Sequence, residues 1–264
     1  MSELGGTGLA AAATEPPRKD RGLSGDLAIE VFGIPLIVAI GFGSYVWWRQ
    51  TASLDSVESS SLAWSSVWLG IKTHAELTVV SALVVVLIAV PLGIMLTRPR
   101  FRGAAPAVVG FANAGQAAPS IGLIVLLDIW LGPGFKTAIV ALSIYAILPV
   151  LRNTITGLQG VDPTLVEAGR GVGMSNAMVL FRVELPLAIP VIMSGIRTAL
   201  VLLVGTAALA TFINGGGLGG IITSGISLYR YSVMVSGAVL VALLALLVEW
   251  VGRMLELYVR PKGI

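Results

Sequence analysis

Apolar residues in this chain come in runs of about 20, separated by short polar segments, a spacing that fits the hydrocarbon thickness of a bilayer when each run is helical. The runs fall at about Ile29–Trp48, Leu77–Thr97, Ala104–Leu131, Thr137–Leu151, Ala188–Phe212 and Val233–Leu255. They predict an all-α polytopic membrane protein with six transmembrane helices. The first run ends in Trp47, Trp48 and Arg49, an interface signature, and lacks the small-residue cleavage site of a signal peptide. Between Gln50 and His74 the chain is Ser-rich, with Leu62, Trp64, Val67, Trp68 and Ile71 at near-helical spacing. That segment reads either as an amphipathic helix on the outer membrane face or as a disordered outer loop. The pattern divides the chain into a disordered polar tail (1–26), a first transmembrane helix with its outer segment (27–75), a core (76–255) and a short tail (256–264). His74, at the outer head of the second run, reads as an interface residue.

Composition sharpens the class. Hydrophobic residues make up 56% of the chain and charged ones only 12%, so the net charge of +3 belongs to the loops of a membrane protein and gives no ground for nucleic-acid binding. With no cysteine, disulfides and thiolate chemistry are excluded. With both termini inside, twelve cations fall on inner segments, among them Arg98, Arg100, Arg102, Arg152, Arg170 and Arg182. Only Arg49, Lys72, Lys136 and Arg230 fall outside. The positive-inside rule therefore predicts cytoplasmic termini and a cytoplasmic loop at residues 152–187.

That loop contains the polar stretch VDPTLVEAGRGVGMSNAMVLFRVELP, Val161 to Pro186. Asp162 followed by Pro163 is a strong helix start, predicting a helix from about Pro163 to about Val172. Gly173 suits the left-handed position that closes it, Ser175 caps a second short helix, and Pro186 is expected to end that one. Small residues on the first helix (Ala168, Gly169, Gly171) would let another protein approach the backbone, with Glu167 as a fixed acceptor beside them.

Glu167, Ala168, Gly173 and Leu185–Pro186 resemble the EAA signature of permease subunits of binding-protein-dependent ABC importers, with Gly169 in place of the second Ala. From about Leu77 to Leu247 the stretches VPLGIMLTRPRFR, ANAGQAAPSIGL, LPVLRNTITGLQGVDPTLVEAGRGVGMS, VELPLAIPVIMSGIRTA and TFINGGGLGG resemble the permeases that import glycine betaine, choline and carnitine. The resemblance implies a MetI-like type I importer core and a coupling helix carrying Glu167, Ala168, Gly169 and Gly173. It also implies a second permease subunit, identical or sister, a cytoplasmic ATPase subunit that holds the ATP and Mg, and an external solute-binding protein. The permease itself would need no cofactor and catalyse no reaction, and it would sit in the plasma membrane. The same machine for methionine or an alkyl sulfonate, or a stand-alone secondary transporter, are the alternatives; no inverted repeat is visible between the two halves.

Within the spans, Asn113, Gln116 and Ser120 are spaced to share one face of the third, as a wall of the translocation path or as hydrogen-bonding groups between helices. Asp128, near the outer end, is either an interfacial residue or a carboxylate that attracts a cationic solute. Arg197, inside the fifth span, snorkels inward or pairs with a carbonyl or carboxylate. The run Gly215–Gly220 lacks the Lys and Ser/Thr of a phosphate loop and is expected to form a mobile outer loop, with a short helix after it, that could touch a binding protein. The carboxylates and the single histidine have no metal-ligand spacing, and the spans hold no carboxylate pair for a hydrolase.

Overall fold

A computed structural model describes residues 23–259, and all the regular structure among them is helical. Most of the two predicted tails therefore lies outside the described residues. The first helix, α1, covers Leu23–Thr51. It is followed by the short helix α2, Ser56–Ser61, and by α3, Trp64–Thr97. The outer segment is thus neither a lone surface helix nor a free loop. Its apolar residues from Trp64 onward are already the first turns of α3, which at 34 residues reaches about 51 Å, well beyond the hydrocarbon layer.

α2 is held by a capping box: Asp55 Oδ1 accepts from the N–H groups of Val57 and Glu58, while the Asp55 N–H donates to Glu58 Oε2 at 3.0 Å. Arg230 pairs with Asp55 at 2.8 Å and the Ser232 hydroxyl donates to Glu58, so this turn is tied to the head of the last helix. Arg49 closes the same corner, donating to the Leu62 carbonyl and stacking over Trp64 at 4.7 Å.

The third apolar run forms two helices, α4 (Ala105–Ala117) and α5 (Ser120–Leu131), which meet at 98°. Ala118 is extended at ψ 143°, the conformation a following proline imposes, and Pro119 has no N–H to continue the ladder. α6, Phe135–Gln159, lies at the centre. After a loop helix α7 (Pro163–Gly171) and a single turn α8 (Asn176–Val179), a π turn at Leu180–Glu184 leads without interruption into α9, Leu185–Ala207. A 3-10 stretch, Ala208–Ile213, then α10 (Gly219–Ser227) and α11 (Tyr231–Val259) complete the chain. Among the described residues five helices are long and apolar enough to span a bilayer, and the bent α4–α5 pair makes the sixth candidate.

α3, α6 and α9 form the core around Leu77, Leu142, Leu151 and Leu203. Glycines let these helices touch. A Cβ at Gly93 would lie 2.7 Å from Thr154, and one at Gly195 2.6 Å from Asn153 Cβ. α11 packs on α9 and α10, and α1 lies outermost against α11, where Trp250 Nε1 donates to the Val31 carbonyl at 2.8 Å. Arg197 pairs with Glu256 of α11 at 3.1 Å, the carboxylate pairing that its place within the span allowed.

Candidate functional site

The polar loop folds into a closed elbow whose geometry follows from its capping residues. Asp162 Oδ1 accepts from the Thr164 N–H at 2.8 Å and Pro163 takes the first helical position, so α7 starts where the Asp-Pro pair predicts. The same Thr164 backbone bond, helped by the Thr164 side chain, holds the fully exposed Asp162 carboxyl below its usual range. At the other end the Gly173 N–H donates to the Arg170 carbonyl at 2.9 Å and the Met174 N–H to the Gly169 carbonyl at 3.1 Å, a Schellman motif. It requires the left-handed φ of +87° that Gly173 adopts. Ser175 then caps α8 through the Met178 N–H at 3.3 Å.

Pro186 does not end the second helix. The π turn slips the hydrogen-bond register by one residue, with the Leu185 N–H reaching the Leu180 carbonyl. Pro186, in the first turn of α9, sits where its missing N–H is tolerated. The elbow is therefore fused directly to a core helix.

Of the predicted elbow residues, Glu167 and Ala168 are exposed on α7, and the Glu167 carboxylate takes no partner within the described chain. Gly173 is exposed at the turn. Gly169 is buried: a Cβ there would meet Val179 and Met174 at 3.4–3.5 Å, an ordinary contact, so the missing side chain faces the elbow's own interior and offers no approach to a partner. Elsewhere on the elbow apolar side chains are exposed, Leu165 47%, Val172 77% and Phe181 67%. An elbow that exposes apolar side chains on one side and a carboxylate on another has surface for a partner protein to cover.

The residues expected to line a path are not on one helix face. Asn113 and Gln116 belong to α4, and Ser120 and Asp128 to α5 beyond the 98° break. Asn113 Oδ1 accepts from Arg152 of α6 at 3.4 Å, and Gln116 and Ser120 are half-buried on either side of the bend. Asp128 is half-buried, with Oδ1 shielded from solvent and without a hydrogen-bond donor.

Two further sites carry polar groups whose partners the sequence does not reveal. Arg98 at the end of α3 binds the buried Glu184 of the π turn through both guanidinium nitrogens, at 2.5 and 3.3 Å. At the other end of the bundle His74 is fully buried and is no interface residue. Its Nε2 lies 2.9 Å from the Val204 carbonyl and its Nδ1 accepts from the Leu218 N–H at 3.2 Å. The glycine run is correspondingly packed, and Gly219 has no room for a Cβ, which would stand 1.8 Å from the Ala208 carbonyl oxygen. The short helix expected after the run is α10.

Residues 89–261 match the family described as the inner membrane component of binding-protein-dependent transport systems. Among relatives, the glycine betaine/carnitine/choline transport system permease protein OpuCB of Bacillus subtilis is 44% identical over 191 residues, 72% of this chain and 87% of that protein. The osmoprotectant import permease protein OsmY of Salmonella typhimurium is 35% identical over 230 residues, 86% and 95% of the two chains. Among solved structures, a chain of the inward-facing MetNI methionine ABC transporter superposes with a TM-score of 0.67 at 26% identity, over 76% of this chain and all of that one.

Proposed function

Because the chain belongs to the family of inner membrane components of binding-protein-dependent transport systems, we propose that it forms the translocation path of an ATP-driven importer for a quaternary-amine compatible solute. In this reading the solute is glycine betaine, choline or carnitine. Two permease subunits pair, a cytoplasmic ATPase carrying ATP and Mg docks on each elbow, and an external solute-binding protein delivers the cargo. The chain lies in the plasma membrane with both termini and the elbow on the cytoplasmic side, in keeping with the bias of its arginines.

The observation that carries this reading is the elbow, with exposed Glu167 and Ala168 held on a helix locked at both ends and fused to α9. A rigid surface joined to a core helix can pass a displacement into the spans. The solute class draws support from relatives named for glycine betaine, carnitine and choline at 35–44% identity, well above the 26% of the methionine transporter chain. Asn113, Gln116, Ser120 and Asp128 would line the path around the α4–α5 bend, with the half-buried Asp128 carboxylate attracting the cationic end of a solute.

Purification of the tagged protein in mild detergent, with mass spectrometry of what accompanies it, tests the assembly. An ATPase and a solute-binding protein are expected. Glu167→Arg should abolish uptake at unchanged membrane abundance; unaffected uptake would overturn docking at the elbow. Competition by unlabelled betaine, choline, methionine and taurine tests the cargo, and inhibition by methionine or taurine alone would overturn the solute class.

A further inference from the structure

The joint between the elbow and the core is the place where a displacement of the elbow is most easily lost. At Leu180–Glu184 the helix ladder changes register through a π turn, and at Pro186 it lacks a donor, so this segment bends more readily than the regular helix on either side. Gly173, at the corner of the elbow, adds no side-chain packing across it.

Beside the apolar cluster that Leu180 and Leu185 share with Leu158, Val161 and Ala188, one ion pair ties this joint to a helix outside it. Glu184, 8% exposed, lies within the π turn, and both its oxygens are bound by Arg98, which belongs to a different helix 86 residues away in sequence. Arg98 is itself fixed. It is the capping residue of α3, and its Nε lies 3.3 Å from the Ile94 carbonyl in the last turn of that helix. The planar guanidinium is thus held by α3 on one side and grips a carboxylate fork on the other, a geometry that resists both sliding and rotation. α3 in turn is packed without slack against α6 at Gly93 and Thr154, and its far end is tied by His74 to α9 and to Leu218.

From this arrangement we infer that the Arg98–Glu184 pair is a brace across the flexible joint, and that it makes a push on the elbow move α3, α6 and α9 as one block. Arg98 and Glu184 are positioning residues for energy coupling. Without the brace the π turn absorbs the displacement: the ATPase still cycles on its docked elbow, and the spans follow incompletely. The inference rests on the ATP-driven reading above.

The chain has no cysteine, so the brace can be removed and replaced in a single protein. The complex, built with cysteine-free partner subunits and reconstituted in liposomes, is assayed for solute moved per ATP hydrolysed. In Arg98→Cys/Glu184→Cys the ratio is expected to fall about fivefold or more, the lower range of ordinary coupling between sites, while ATP hydrolysis persists. Bridging the two thiols with a short bis-methanethiosulfonate reagent should restore the ratio, and reduction should abolish it again. Glu184→Gln, close in shape, should show the same fall. An unchanged ratio in Glu184→Gln, or uptake and hydrolysis falling in proportion with no recovery on bridging, would overturn the brace. A parent complex without ATP-dependent uptake would instead overturn the importer reading, so the two failures are distinguishable.

Discussion

At position 74 an imidazole is enclosed on all sides and uses both ring nitrogens. The Leu218 N–H can only donate, so Nδ1 accepts it, which leaves the proton on Nε2 to donate to the Val204 carbonyl. The Val204 carbonyl belongs to a helix that would otherwise be regular, and the Leu218 N–H to a loop with no helical partner for it. Gly217, at φ +93°, lets that loop lie against the ring, since a Cβ there would stand 3.2 Å from Nδ1. His74→Ala removes a buried donor and acceptor and leaves a cavity. A loss of about 2 kcal/mol or more is expected, seen as a lower thermal unfolding midpoint in detergent. His74→Gln, whose amide can serve one of the two partners, should lose less. Equal midpoints for His74→Ala and the parent would mean that the two hydrogen bonds contribute nothing. In the sequence this is only a histidine near the head of an apolar run, which reads as a group at the interface. Its partners lie 130 and 144 residues away, and no local pattern encodes them.

Prolines show how far local pattern reaches at the scale of an element. Pro35, Pro91, Pro149 and Pro190 lie inside helices that continue past them, while Pro119 separates two helices at 98°. Each lacks the same N–H, and a span tolerates the loss when neighbours and local adjustment satisfy the freed carbonyl. The difference at Pro119 is Ala118, which is extended rather than helical, so the chain turns before the ladder can resume at Ser120. Hydropathy saw only a long apolar run from Ala104 to Leu131 and placed Asn113, Gln116 and Ser120 on one face. The caps of the elbow are legible in the sequence for the opposite reason, whereas the run through Pro186 and the burial of Gly169 are not. Asp162–Pro163, Gly173 and Ser175 act on the backbone within a turn of themselves, and each cap appears where its chemistry puts it. Pro119→Ala releases the restriction on Ala118 and should let α4 and α5 straighten toward one continuous helix. With spin labels on cysteines placed at Phe111 and Ile129, both exposed, the interspin distance should lengthen relative to the parent background. An unchanged distance would show that contacts to α6 hold the bend without the proline.

For the molecule as a whole, the bilayer does much of the specifying. A run that crosses must be long enough and must satisfy its backbone internally, so the helical fold and the places of the five long spans follow from hydropathy, while the bend that splits the third run into α4 and α5 does not. The cross-links that fix how the spans pack do not, because Arg98–Glu184, Arg197–Glu256 and Arg230–Asp55 each join residues far apart in sequence through single side chains. Orientation is set by a third agent, the bias of cations between the two ends. Arg98, Arg100, Arg102, Arg152, Arg170 and Arg182 gather around the elbow end, against Arg49, Lys72, Lys136 and Arg230 at the other. Two exposed residues report on this directly in the cysteine-free chain: Val172 at the elbow, 77% exposed, and Tyr229 after α10, 84% exposed. In sealed right-side-out membrane vesicles, Tyr229→Cys should react with a membrane-impermeant maleimide at once. Val172→Cys should react only after the vesicles are opened or inverted. The reverse pattern would put the elbow outside, out of reach of a cytoplasmic ATPase, and would remove the physical basis for ATP-driven transport through this chain.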